Sequence, residues 1–317
     1  MFNWEIYINN YYDLLAAGIN NRVKALAHWN RYGKKERRIA HYRTPDSITN
    51  IRILLGMGDI LEYLHIYSEL GLLNKVRFLI DNDFLEKYRA NTPSYVQFIR
   101  HILYKFGVQS HLIDGGSDYR VIGADELVIN HKISFRSLTK FHNYFSLILA
   151  APRTINHEYI VIHTKYRPIV HNNVIERQIK NYVRNLFSDF KAKLPIVLLG
   201  EKEIEPPRKY EMQGIYSLYN ELITSLSNKN TIIDLTVPKI QLHYDVHQFE
   251  KDISIIHNAE CNIIFGVGGN LILSLLLGKR FIALSENYFQ EMFKTCSHGT
   301  LCKTYQEMTN AVGEIRA

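Results

Sequence analysis

Residues 51–80, IRILLGMGDILEYLHIYSELGLLNKVRFLI, decide the fold class of this chain. The short apolar run Ile51–Leu55 ends at a glycine turn and is followed by the amphipathic stretch Ile60–Leu70. Gly71 then separates this stretch from a second apolar run, Val76–Ile80. Two mostly apolar strands around a helix predict a βαβ unit, whose strands are parallel and buried.

The same alternation starts again after a predicted boundary at Pro152–His157. Strands are expected at Tyr159–Ile162, Ile196–Leu199, Thr231–Leu235, Asn262–Phe265 and, as the last clear one, Phe281–Leu284. Helices are expected at Val174–Phe190, Ile215–Leu226, Val246–Asn258 and Asn270–Leu277. This pattern predicts a second doubly wound, Rossmann-like α/β domain.

The segments around the first βαβ unit have weaker patterns. Val96–Phe106 predicts a further helix, Val121–Val128 a weak strand, and Ser134–Leu149 a helix or a buried connection. Residues 1–44 have apolar side chains at helical spacing, with Gly18 and Gly33 where helices would end. We therefore predict a small helical module at 1–44, one Rossmann-like domain at 45–154 and a second at 155–317.

The composition excludes several classes of protein. Of 317 residues, 46% are hydrophobic, which is enough to bury a core, and three cysteines are too few for a disulfide scaffold. No apolar run reaches the roughly 18–20 residues that a transmembrane helix needs, and the first ten residues do not form a signal-peptide pattern. The expected location is therefore the cytoplasm.

The charge balance favours anionic partners. The formal net charge is +7, and the sequence pI is about 9.1. The densest basic cluster contains only Lys34, Lys35, Arg37 and Arg38 and is interrupted by Glu36. Nucleic-acid binding usually needs a longer basic stripe, so no nucleic-acid partner is expected.

The strongest local signal is the glycine turn Gly266-Val-Gly268-Gly269-Asn270, between a predicted strand and a predicted helix. Glycines let a ligand approach the backbone closely, and the free N–H groups of a helix start favour a phosphate. The turn matches neither a dinucleotide-binding fingerprint nor a Walker A loop. The alternative is a tight connection that holds no ligand.

A carboxylate follows the first predicted strand, in Gly56-Met57-Gly58-Asp59. Two tandem domains predict a cleft between them, and Asp59 at the strand end is placed to accept a proton from an incoming hydroxyl group. Asp59 as the N-cap of the following helix is the alternative.

Cations follow the first strand of the second domain, in His163-Thr-Lys165-Tyr-Arg167. Lys165 and Arg167 are two residues apart, so a continuing strand would project both to one side. Paired cations at a strand end suit a diphosphate, whose charge they stabilise as it leaves. His163 is a candidate base, or a histidine that is merely hydrogen-bonded.

Two acidic positions complete the candidates. Asp81-Asn82-Asp83 follows the second strand and has the spacing of a divalent-metal site, although turn chemistry explains it as well. Glu286 follows the strand Phe281–Leu284, where a carboxylate can bind ribose hydroxyl groups, or it belongs to an ordinary loop.

The N-terminal stretch resembles a known accessory module. Its pattern comprises Trp4-x-x-Tyr7-Ile8, Asp13-Leu14, Ala17-Gly18-Ile19, and then Ala25-x-x-His28-Trp29-x-x-Tyr32-Gly33-x-x-Glu36-x-Arg38. About forty residues are similar to a module of surface-polysaccharide glycosyltransferases from bacteria and giant DNA viruses. The module does not itself define a reaction.

The rest of the chain resembles two-domain glycosyltransferases of the GT-B type, more loosely their heptosyltransferase-like branch. The resemblance implies that Asp59 in Gly58-Asp59 is the catalytic carboxylate and that Lys165 contacts the donor phosphates. It also implies donor contacts at the glycine turn. Val267-Gly268-Gly269 stands where that branch has Asp-Thr-Gly, and His163-Thr-Lys-Tyr-Arg167 loosely resembles the His-x-Arg stretch of GDP-fucose-dependent enzymes.

We therefore predict a glycosyltransferase that uses a UDP-, GDP- or dTDP-sugar donor and a glycan acceptor, with no cofactor and no metal. The catalytic candidates are Asp59 and His163. The donor-binding candidates are Lys165, Arg167, Gly266, Gly268, Gly269, Asn270 and Glu286. The alternatives are a metal-dependent single-domain transferase that uses Asp81 and Asp83, and a non-catalytic nucleotide- or glycan-binding protein.

Overall fold

The computed structural model describes most of both halves of the chain. The described residues are Phe2, Trp4, Tyr7, Ile8, Leu14, 17–36, Arg38, 49–53, 57–69, 73–81, 92–113, 148–151, 153–167, 173–203, 216–239, 246–266, 268–285 and 296–315. Helices alternate with strands, and the described strand pairs are parallel except for one short antiparallel pair, in which Lys165 and Tyr166 are opposite Ser217 and Tyr216. The predicted α/β class is therefore confirmed.

The chain divides into two compact units. The first comprises Met1–Gly123 with Leu242–Val246, and the second comprises Ala124–Gln241 with His247–Ala317. This grouping does not define folding domains, so the boundaries at 1–44, 45–154 and 155–317 stay predictions.

The first unit contains a small helical cluster near the N-terminus. Helix α1 (Arg22–His28) continues into a π-helical turn at Trp29–Gly33. The hydroxyl group of Tyr7 lies 2.8 Å from Nδ1 of His28, and an added Cβ at Gly33 would lie only 2.2 Å from that same hydroxyl oxygen. This contact explains why a glycine stands where the basic run begins.

The first unit also contains the predicted βαβ unit, extended by one more helix and strand. Its elements are β1 (Thr49–Ile53), α2 (Met57–Glu69), β2 (Val76–Asp81), α3 (Thr92–Lys105) and β3 (Gln109–Ile113). The three strands are parallel in the order β1-β2-β3. Helix α2 starts three residues earlier than predicted and includes Gly58 and Asp59.

The second unit is built on a larger sheet. Its strands are β4 (Ile160–Arg167), β5 (Ile196–Leu199), β6 (Glu201–Glu203), β7 (Tyr216–Ser217), β8 (Ile232–Asp234), β9 (Val237–Lys239), β10 (Cys261–Gly266), β11 (Phe281–Leu284) and β12 (Gly299–Cys302). Its helices are α4 (Asn173–Ser188), α5 (Tyr219–Leu226), α6 (Val246–Asn258), α7 (Gly269–Leu276) and α8 (Tyr305–Gly313). Strands β6 and β9 form a separate parallel pair.

The main sheet has the strand order of a doubly wound fold. Its parallel strands run β8-β5-β4-β10-β11-β12, so in chain order they are 3-2-1-4-5-6. Helices α4, α5 and α8 pack in one apolar cluster with alternate residues of the strands, including Ile162 and Ile263. Asn262, on the opposite face, donates to the carbonyl of Ile256 in α6 at 3.2 Å. Helices therefore cover both faces of the sheet.

Two sequence predictions in this unit are wrong. The predicted helix from Ile215 gives way to strand β7 at Tyr216–Ser217, because Tyr216 pairs and stacks with Tyr166 of β4. Phe281–Leu284 is not the last strand, since β12 pairs with it through Phe281 and Gly299. The predictions at Val121–Val128 and over most of Ser134–Leu149 lie outside the described residues. None of the described helices is long and apolar enough to cross a membrane.

Candidate functional site

The candidate site lies where the sheet of the second unit changes winding direction. Strand β4 has β5 on one side and β10 on the other, and the chain leaves β4 and β10 toward opposite directions along the sheet. In open α/β sheets, ligands bind beyond the carboxyl ends of the strands at this switch point. Arg167 and Gly266, the last residues of β4 and β10, are register partners. The two segments that the sequence singled out therefore lie side by side.

Strand β4 is irregular as it approaches this point. Ile162 and Tyr166 are opposite Ile263 and Phe265 of β10, so β4 has two more residues than its partner over this span. Such a bulge changes the direction of side chains near a strand end. Lys165 lies in the bulged segment and also pairs with Ser217 of β7.

The glycine turn has the backbone that its sequence predicts. Gly266 has φ of +84°, a left-handed conformation that favours glycine. Gly268 is the N-cap of α7 and, as a glycine, has no side chain to cap the helix. An added Cβ there would meet nothing within 4 Å. Gly269 and Asn270 form the first turn of α7, which has no acidic residue. This helix start is open and suited to an anion.

Lys165 is a half-buried cation close to the end of β4. Its side chain is 33% exposed, and its Nζ lies 4.0 Å from Oε1 of Glu201. This distance is the outer limit of an ion pair, so the ammonium group is only loosely held and can meet an anionic ligand. For Arg167, the structure describes the strand position but not the side chain.

His163 is fully buried in β4. Burial lowers the pKa of its imidazole to about 4, and the nearby Asn262 side chain opposes this effect weakly. Neither ring nitrogen has a hydrogen bond of normal geometry within the described part of the chain. The ring is therefore neutral at pH 7 and closed to solvent, and its role as a base stays a prediction.

Glu201 is a buried acid that the sequence analysis does not single out. It follows β5 and Gly200 and is 3% exposed. Its main-chain carbonyl accepts hydrogen bonds from Thr164 Oγ1 at 2.9 Å and Ser217 Oγ at 2.8 Å. Its Oε2 has no hydrogen-bond partner among the described residues. Burial raises the pKa of Glu201, while Lys165 opposes that change.

Asp252 in α6 is the second acid that the sequence analysis missed. Its Oδ1 accepts a hydrogen bond from Gln248 Nε2 at 2.6 Å. Burial raises the pKa of Asp252 to about 7; Gln248 and Lys251 oppose this change, and the nearby charge of Glu201 adds to it. Lys165 and Glu201 therefore lie together at the carboxyl end of β4 and β5, and the charge of Glu201 acts on Asp252.

A sequence signal exists for each missed acid. Glu201 comes directly after a buried strand and a glycine. Asp252 lies four residues before the fully buried Ile256, so helical spacing puts it on the covered side of α6.

The remaining candidates lie elsewhere or outside the described residues. Asp59 is the third residue of α2 in the first unit, so it does not precede the helix as an N-cap. Asp81 ends β2, whereas Asn82, Asp83 and Glu286 lie outside the described residues. The described residues contain no group of three or more metal-ligating side chains.

Comparison with known proteins gives only distant likenesses. No protein-family model matches the chain, and no curated protein matches it. Among solved structures, the chain is similar to a glycosyl transferase family 9 protein from Veillonella parvula, at 10% identity and a TM-score of 0.37, covering 86% of this chain and 92% of that one.

Two further structures are similar at the same level. A UDP-GlcNAc 2-epimerase from Methanocaldococcus jannaschii, in complex with UDP-GlcNAc and UDP, shares 12% identity at a TM-score of 0.34, covering 82% of this chain and 75% of that one. A spinosyn rhamnosyltransferase with spinosyn aglycone shares 11% identity at a TM-score of 0.31, covering 98% of this chain and 73% of that one. TM-scores this low decide neither fold nor function, so the function is inferred from the residues of this chain.

Proposed function

We propose that this chain is a glycosyltransferase of the GT-B type that moves a sugar from a nucleoside-diphosphate donor to a hydroxyl group of a glycan acceptor. One observation carries the proposal. A bulged strand end with Lys165 and an open glycine turn with Gly266–Asn270 are neighbours at the switch point of a 3-2-1-4-5-6 sheet. This combination suits a ligand with a diphosphate group.

The diphosphate is the leaving group of the proposed reaction. Lys165 and Arg167 offer positive charge at the end of β4, and the start of α7 at Gly268–Asn270 offers N–H groups and the positive end of its dipole. These groups stabilise the negative charge that develops on the diphosphate as its bond to the anomeric carbon breaks. Glu286 is proposed to bind the ribose hydroxyl groups.

Asp59 is proposed as the general base. The acceptor hydroxyl oxygen attacks the anomeric carbon, the carbon–oxygen bond to the diphosphate breaks, and the acceptor proton passes to the Asp59 carboxylate. The products are the glycosylated acceptor and a nucleoside diphosphate. The step uses protein cations and a helix start in place of a metal ion.

The biological setting is proposed from the resemblance of the N-terminal module. This resemblance favours viral or bacterial surface-polysaccharide synthesis in the cytoplasm, with a growing glycan as acceptor.

The decisive experiment compares Asp59→Asn with the unchanged chain. UDP-, GDP- and dTDP-glucose are first screened by thermal shift, since a ligand that binds only the native state raises its melting temperature. Release of nucleoside diphosphate from the best donor is then measured. We expect Asp59→Asn to lower turnover by about 10²–10⁴-fold, with an unchanged thermal shift. Glu69→Gln, at the other end of α2, is the matched control and should keep full turnover.

Three results would change the assignment. Unchanged turnover in Asp59→Asn would remove Asp59 as the base. Binding of a donor by the unchanged chain, without turnover against any acceptor, would indicate a non-catalytic binding protein. Activity that is lost in chelator and in Asp83→Ala would favour the metal-dependent alternative.

A further inference from the structure

Positive charge is concentrated on helix α1 and on the turns that follow it. Residues 14–35 contain no aspartate or glutamate, and their five cations are all exposed: Arg22, Lys24, Arg31, Lys34 and Lys35. Lys24 Nζ donates to the carbonyl of Gly18 at 2.8 Å, and none of the five forms an ion pair with a described acid. Glu36, the first acid beyond them, pairs with Arg38. The charge of this segment is therefore available to an anionic partner.

The same segment has exposed apolar side chains among its cations. Of the described residues, the large apolar ones that stay exposed are Val23 at 79%, Leu26 at 41%, Tyr32 at 43% and Val174 at 63%. Three of these four lie within residues 22–35, whose exposed side chains we call the α1 surface. Val23 and Leu26 are three residues apart and are therefore neighbours on the helix. The guanidinium group of Arg31 lies 5.1 Å from the ring centroid of Tyr32. Apolar and basic groups are therefore interleaved on the α1 surface.

The opposite side of this helical segment is fixed by packing. Ala25 and Tyr7 belong to one buried cluster, and the Tyr7 ring packs edge-on against Trp29 at 5.2 Å between centroids. An added Cβ at Gly33 would lie 2.2 Å from the Tyr7 hydroxyl oxygen. Ala25, Trp29 and Gly33 are spaced four residues apart and so lie on one side of the segment. Because that side is packed, the segment cannot turn Val23 inward without breaking these contacts.

The chemistry of the α1 surface fits an anionic lipid bilayer better than other anionic partners. At a bilayer, apolar side chains enter the boundary between head groups and acyl chains, while lysine and arginine contact lipid phosphates. A nucleic acid would use the cations, but its interfaces are polar and gain little from Val23 and Leu26. A stable protein interface takes roughly 20–30 residues from each partner, which is more than this segment offers.

We propose that the α1 surface docks this chain onto membranes that contain acidic phospholipids. Val23 and Leu26 enter the head-group region, and the surrounding cations contact the lipid phosphates, at about fivefold in affinity for each cation. The inference goes beyond the proposed sugar transfer and does not depend on it, because binding to vesicles needs no nucleotide sugar.

The test is co-sedimentation of the full chain with two kinds of vesicle. One kind contains phosphatidylcholine alone, and the other contains phosphatidylcholine with about 30% phosphatidylglycerol. We expect the chain to bind the acidic vesicles at least about tenfold more tightly than the neutral ones. Raising the salt from about 0.05 M to about 0.5 M should remove most of this difference, because salt screens the charges.

The contribution of charge is tested by the double variant Lys34→Gln, Lys35→Gln. Its binding to acidic vesicles should be about 10–30-fold weaker than that of the unchanged chain. The matched control is Lys191→Gln with Lys193→Gln, which removes the same charge from two exposed positions of the second unit and should keep full binding.

The contribution of the apolar side chains is tested by Val23→Ser. This change should weaken binding to acidic vesicles about fivefold, because it removes apolar surface that the bilayer would cover. The matched control is Val174→Ser, at the 63% exposed valine of α4, which should leave binding unchanged. Both valines are mostly exposed, so each variant should fold, and thermal unfolding checks this.

The proposal is overturned if the unchanged chain does not bind acidic vesicles more tightly than neutral ones. It is also overturned if the two double lysine variants lose binding equally, since net charge alone would then explain the effect. Equal binding by Val23→Ser and Val174→Ser would show that no valine enters the bilayer and would contradict the proposed docking. Binding to a DNA duplex that depends on Lys34 and Lys35, without binding to acidic vesicles, would indicate a nucleic-acid surface instead.

Discussion

Two carboxylates at the ends of neighbouring strands have opposite electrostatic surroundings. Asp234 ends β8 and accepts from Tyr219 at 2.8 Å, from the Thr236 amide at 3.0 Å and from Lys202 at 2.8 Å. Burial raises the pKa of Asp234, but hydrogen bonds from Lys202, Thr236 and Tyr219 outweigh it and hold the pKa at about 2. Glu201, just past β5, has one lysine at 4.0 Å and a raised pKa.

The contrast originates in adjacent residues of one short strand. Successive side chains of a strand point to opposite faces, so the side chains of Glu201 and Lys202 lie on opposite faces of β6. Lys202 contacts Asp234 and lies 4.9 Å from the ring centroid of Tyr219 in α5, whereas Glu201 acts on Asp252 in α6. One face therefore has a carboxylate whose donors are complete, which is a structural arrangement. On the other face, Glu201 Oε2 has no hydrogen-bond partner among the described residues, and a buried acid of this kind is typical of functional sites.

The largest expected effect comes from Gly200→Ala, which disturbs the backbone that separates these two faces. Alanine at φ of +123° is strained, and its Cβ would contact Thr164 Oγ1 at 2.5 Å. We expect a loss of roughly 2–5 kcal/mol in the free energy of unfolding, measured by urea denaturation. The control is Gly278→Ala, at φ of +62° with nothing within 4 Å, where about 1 kcal/mol is expected. Equal losses in the two variants would show that the contact with Thr164 has no energetic weight.

The next largest effect is expected from Asp252→Asn, and it depends on pH. An acid whose pKa is raised in the folded state stabilises most when protonated, so the contribution of Asp252 decreases as the pH rises from about 4 to about 7. Asp252→Asn removes this decrease. Relative to the unchanged chain, we expect it to gain roughly 2 kcal/mol more unfolding free energy at pH 8 than at pH 5. Urea denaturation at both pH values measures it, and an equal difference at both would contradict the raised pKa.

The buried strands could be predicted from the sequence because burial on both faces requires continuous apolar residues. Ile196–Leu199 and Phe281–Leu284 have the predicted bounds, and helix Val246–Asn258 begins and ends as its periodicity indicates. Strand β12, with Gly299, has no such apolar run, and its conformation depends on pairing with β11. A local sequence pattern therefore does not predict an edge strand that forms only by pairing with another strand.

The site could be predicted only where its chemistry depends on local sequence. Gly266 and Lys165 lie at the carboxyl ends of strands that the sequence already indicates, so their places beside that end of the sheet could be predicted. Glu201 and Asp252 are far apart in sequence. The charge of Glu201 acts on Asp252 only because α6 packs onto the sheet. The burial of His163 likewise depends on neighbouring strands, which a single strand-end sequence does not reveal.

The smallest expected effect comes from Asp234→Asn, the mirror image of Asp252→Asn. An acid whose pKa is lowered in the folded state stabilises above its ordinary pKa near 4, and that contribution is lost as the pH falls through about 2. The side chain of Asp234 is 28% exposed and Lys202 lies at the surface, so solvent screens the pair and we expect a loss of only about 0.5–1 kcal/mol. The loss should be equal at pH 5 and pH 8 and smaller in high salt.

The control is Asp189→Asn, whose 86% exposed side chain pairs with Lys229 at 2.8 Å and should contribute less. If Asp234→Asn instead gained stability relative to the unchanged chain as the pH rose, as Asp252→Asn is expected to, the lowered pKa of Asp234 would be contradicted.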